Sequence, residues 1–84
     1  MKNVDLLRQS GHYFKHQLRD EFDSVIVGVT TGPEPKLVYS YNGMITVLME
    51  ENNWDIEKAE SYLMGVMSLH EGDVIFMHGL KQVT

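Results

Sequence analysis

Two histidines four residues apart, His12 and His16, with Asp20 four residues further on, are the first side chains in this 84-residue sequence whose types and spacing could do chemistry. On a helix the three would share one face, where imidazole and carboxylate donors can converge on a divalent cation. No glutamate lies between the histidines as in the helix of a zinc hydrolase, so the spacing marks a candidate metal set and names no reaction. The same stretch carries Arg8, Lys15 and Arg19. Together with His12 and His16 they would line one side of a helix as a basic stripe, a surface for an anion or an acidic partner.

The net charge of -5 hides this asymmetry. Residues 1–19 hold Lys2, Arg8, Lys15 and Arg19 against Asp5, a balance of +3 that leaves -8 for residues 20–84. Such a dipolar chain suits a protein partner, either an acidic protein or a second copy of itself as a homodimer. Nucleic acid fits less well, because a few cations on an acidic body give a small phosphate footprint. Capture of a nucleotide or similar anion by an oligomer, and nucleic-acid binding through the basic face, stand as the alternative readings.

The other chemistry-bearing residues name no reaction. Carboxylates gather at Asp20, Glu21 and Asp23 and again at Glu50, Glu51, Asp55, Glu57 and Glu60. That density is modest for a phosphate mimic, and nothing pairs two acids in an apolar pocket as a hydrolase requires. The glycines form neither GxGxxG nor GxxxxGK[ST]. A non-enzymatic protein without a cofactor is the reading that follows. Methionine offers a different clue: Met64 falls on the polar side of its helix, and with Tyr62 and Val47 it defines a candidate contact surface, since thioethers adapt to varied partners.

The elements that must position these groups follow from periodicity. Leu7, Phe14, Leu18 and Phe22 recur at helical intervals and predict an opening helix over about Val4 to Phe22, weakened at Ser10-Gly11. Val25 to Val29 is β-branched and apolar on both sides, as in a central strand, and Gly32-Pro33-Glu34-Pro35 turns the chain into a second strand, Lys36 to Ser40. Ser40 or Asn42 can cap a helix that buries Tyr41, Met44, Ile45 and Leu48. Asp55 caps the next, with Ile56, Ala59, Leu63 and Val66 as its buried stripe and Trp54 as a staple. Val74 to Met77 closes the chain as a third strand. The predicted fold is α+β: a two-layer domain of order α-β-β-α-α-β, its three-stranded, mostly antiparallel sheet covered by helices on one face.

Composition bounds the rest. A chain of 84 residues that is 43 % hydrophobic reads as one globular domain over residues 1–84. It has no cysteine, and it shows no apolar signal run or membrane span, so the expectation is a cytoplasmic protein without a membrane partner.

The succession Asp23-Ser24-Val25-Ile26-Val27-Gly28-Val29, Leu37-Val38-Tyr39-Ser40-Tyr41-Asn42, Ile45-Thr46-Val47-Leu48-Met49 and Glu57-Lys58-Ala59-Glu60-Ser61-Tyr62 resembles small uncharacterised proteins of bacteriophages and other large DNA viruses. The likeness spans about residues 23–76. Ser40 and Asn42 stand where that group carries an acidic pair. The resemblance implies a viral source, hence a modulator that binds a host factor in the host cytoplasm, and implies no chemistry or site.

Overall fold

The computed structural model describes residues 1–79. Its elements are α1 (Asn3–Gln9), a short 3-10 turn (Asp20–Val25), β1 (Ile26–Val29), β2 (Leu37–Ser40), α2 (Tyr41–Asn52), α3 (Ile56–Leu69) and β3 (Ile75–Met77). The α+β class and the element order are those expected from the sequence. The sheet differs in detail. β2, not β1, lies at its centre, and β1–β2 is antiparallel while β2–β3 is parallel, so the sheet is mixed instead of mostly antiparallel. The reason is the connection: two helices between β2 and β3 form a crossover, which returns the chain to the end of the sheet where β2 began.

The opening helix is also shorter than its periodicity suggests. Gly11 takes φ +88, and its N–H donates to the Arg8 carbonyl while the His12 N–H donates to that of Leu7, each at 3.0 Å. This pair of bonds is a Schellman closure, which needs a left-handed residue and therefore favours glycine. Beyond it residues 12–19 run without regular structure. Phe14, Leu18 and Phe22 are nevertheless buried. The apolar spacing thus identified core residues correctly and assigned them the wrong backbone.

Long-range hydrogen bonds replace the missing helical ones. The Leu18 N–H donates to the Tyr39 hydroxyl at 2.9 Å, and the Asp23 carboxylate accepts from the Asn3 and Val4 N–H groups at 2.6 and 3.1 Å. Asp23 thereby caps α1 from 20 residues away. The caps of the later helices are local. Ser40 accepts from the Gly43 N–H at 3.0 Å and Asp55 from the Lys58 N–H at 2.9 Å.

The core lies between the sheet and α2–α3. Leu37 and Tyr39 of β2 point inward with Ile26 of β1, against Met44, Ile45 and Leu48 of α2 and Ala59 and Leu63 of α3. Ile56, expected in the α3 stripe, is the first residue of that helix and is exposed.

Candidate functional site

The segment after α1 redistributes the basic residues that helical spacing had aligned. Arg8 remains on α1, whereas His12, Lys15, His16 and Arg19 sit on irregular chain and form no stripe. Both arginines are engaged within the molecule. The Arg8 guanidinium lies 4.7 Å from the Phe14 ring centroid and donates to the Gln17 side chain at 3.2 Å. Arg19 pairs with Glu21 at 2.7 Å and donates to the Tyr62 hydroxyl at 2.8 Å. An exposed pair of this kind contributes at most ~1 kcal/mol, yet it offsets the positive charge that Arg19 would otherwise present.

The candidate metal set does not assemble. Among the described residues no group of three His, Cys, Asp or Glu side chains comes together to hold an ion. Without helix between them, His12, His16 and Asp20 lose the common face. Asp20 instead accepts from Lys2 at 2.7 Å, and that hydrogen bond raises the Lys2 pKa above its ordinary 10.5.

Lys15 and His16 do meet other elements. They form one wall of a cleft of about 350 Å³, with Glu34 and Lys36 from the β1–β2 loop and Asp73 from the turn before β3. Tyr13 stands at its side, 68 % exposed. The His16 Nε2 is 3.6 Å from the Asp73 Oδ1. Two of the walls are tied by hydrogen bonds: Thr30 and Lys36 exchange bonds of 2.8 and 2.9 Å across the neck of the loop, the second to the Thr30 hydroxyl. The turn closes with the Asp73 N–H on the His70 carbonyl at 3.0 Å, helped by Gly72 at φ +85. The sequence placed Lys36 at the start of the second strand and in no site, because a single lysine after two prolines carries no pattern; β2 itself begins at Leu37.

The expected contact trio divides. Met64 is 66 % exposed. Tyr62 is held between Arg19 and the Trp54 ring, whose centroid is 5.3 Å away. Val47 is half-buried, packed by one side against the core cluster.

A second surface arises from the sheet. The register sets Gly28, Val38 and Ile75 side by side, with Ser40 beside Met77, on the face opposite Leu37 and Tyr39. Val27 lies at a bulge in β1. Val27, Ile75 and Met77 are 53 %, 39 % and 44 % exposed. A groove of about 230 Å³ lined by Leu6, Leu7 and Val27 continues this face toward α1. Its sequence signal was already visible in strands apolar on both sides, the pattern of a sheet covered on both faces.

No helix among the described residues is long and apolar enough to cross a membrane. Comparison with protein-family models, curated proteins and solved structures found no match to this chain.

Proposed function

We propose that the protein is a non-enzymatic interaction protein that pairs with a second copy of itself through the outer face of its sheet. The observation that carries this reading is the apolar row Val27, Val38, Ile75 and Met77 on that face. None of the 11 residues of β1, β2 and β3 is charged. On a chain of net charge -5, a face without charge lets two copies approach without setting like charges opposite one another.

Area decides how strong such a pairing is. Three short strands project on the order of 200 Å², well below the roughly 800 Å² per partner of a standard interface. The groove beside Leu6 enlarges the contact, and the expected dimer is weak and exchanges with monomer.

Sedimentation velocity from about 10 μM to about 1 mM is expected to show that exchange. Ile75→Lys holds the chain monomeric with its melting temperature unchanged, whereas Met64→Lys on α3 leaves the dimer intact. A chain that stays monomeric throughout, or a dimer abolished by Met64→Lys and indifferent to Ile75→Lys, overturns the reading.

A further inference from the structure

Of the seven Lys and Arg residues, six lie among the described residues. Four of these have a partner: Lys2 on Asp20, Arg8 over Phe14, Arg19 on Glu21, and Lys58 with its ammonium 5.0 Å from the Trp54 ring centroid. Lys15 and Lys36 have no carboxylate or ring partner among the described residues. Both line the same cleft. Two ammonium groups that line one cleft with no carboxylate within 4.0 Å of either among the described residues give that cleft a local positive pair on an otherwise acidic chain.

We infer that this cleft binds a small phosphorylated ligand of mononucleotide size, with its phosphate between Lys15 and Lys36 and a planar ring against Tyr13. Lysine is a compact point charge that serves phosphate oxygens without demanding the planar geometry of an arginine fork. Tyr13, largely exposed beside Lys15, presents a ring face for stacking. The volume of about 350 Å³ falls within the range of small-ligand sites. Glu34 and Asp73 also line the cleft, but Asp73 faces His16 and neither carboxylate lies within 4.0 Å of the two lysines. They and the net negative charge temper the affinity and make it sensitive to salt. The loop and turn walls are tied before any ligand arrives, which limits the ordering needed on binding. The cleft uses none of the sheet-face residues, and the inference stands apart from the dimer.

The test is titration of the full chain with adenosine monophosphate, inorganic phosphate and adenosine at low salt, followed by amide chemical shifts and calorimetry. Adenosine monophosphate is expected to bind at about millimolar Kd or tighter, and adenosine several-fold more weakly. Lys15→Ala and Lys36→Ala each weaken the nucleotide at least about fivefold, while Lys58→Ala leaves it unchanged. Tyr13→Ala weakens the nucleotide and spares inorganic phosphate. No saturable shift up to about 10 mM nucleotide, binding indifferent to both lysine variants, or adenosine binding as tightly as its phosphate would each overturn the inference. Unchanged melting of the variants separates lost binding from lost folding.

Discussion

Tyr39 joins two parts of the chain through one side chain. Its ring is buried among α2 and the sheet, and its hydroxyl accepts the Leu18 N–H at 2.9 Å. That bond fixes the irregular segment that carries Lys15 and His16 toward the cleft. Tyr39→Phe keeps the ring and leaves a buried N–H without an acceptor, and the expected cost is about 1–3 kcal/mol in urea denaturation. A cost below about 0.5 kcal/mol would mean that the amide is satisfied elsewhere. Asp23 works similarly for α1, where Lys2 at the cap position supplies no side-chain acceptor and the distant carboxylate does.

Two glycines inside helices show how differently neighbouring elements constrain them. A Cβ at Gly43 in α2 would sit 2.7 Å from Val25 Cγ1 and 2.8 Å from Val25 Cβ, whereas one at Gly65 in α3 meets nothing within 4 Å. Alanine normally improves a helix interior by about 0.5–1 kcal/mol. Gly65→Ala should therefore raise the melting temperature. Gly43→Ala should lower it, because overpacking against the 3-10 turn costs about 1–3 kcal/mol. A rise in both variants would contradict the close seating of α2 on Val25. At this scale the Ser10-Gly11 closure matters most, since it ends α1 and sends Phe14 and Leu18 into the core along irregular chain.

The fold as a whole is expected to weaken in alkali. Burial pushes the Tyr39 hydroxyl above its ordinary 10.0, and the hydrogen bond to Asp20 raises Lys2 above 10.5. In both cases the unfolded chain releases its proton at lower pH than the folded one. Their contribution is whole below about pH 10 and is lost as pH rises through the folded values. The melting temperature should fall above that point, and fall less steeply in Tyr39→Phe. A melting temperature that rises above about pH 10 would contradict the assignment. The cleft shares no lining residue with the sheet face, so the proposed pairing and the proposed anion binding are tested independently.

The caps at Ser40 and Asp55, the strands flanking the Pro33-Pro35 loop, and the burial of Met44, Leu48, Ala59 and Leu63 were legible in the sequence. Each depends on residues a few positions apart, where periodicity and capping act directly. Leu18 meets Tyr39 across 21 positions and Arg19 meets Tyr62 across 43. No local pattern encodes such encounters. Closure of the core chose them, and with them dissolved the expected basic stripe, placed β2 in the middle of the sheet, and brought Lys15 and Lys36 to the same cleft. The sequence determined which residues seek the interior; only packing decided which charges were left without partners, because neutralisation depends on distance through space.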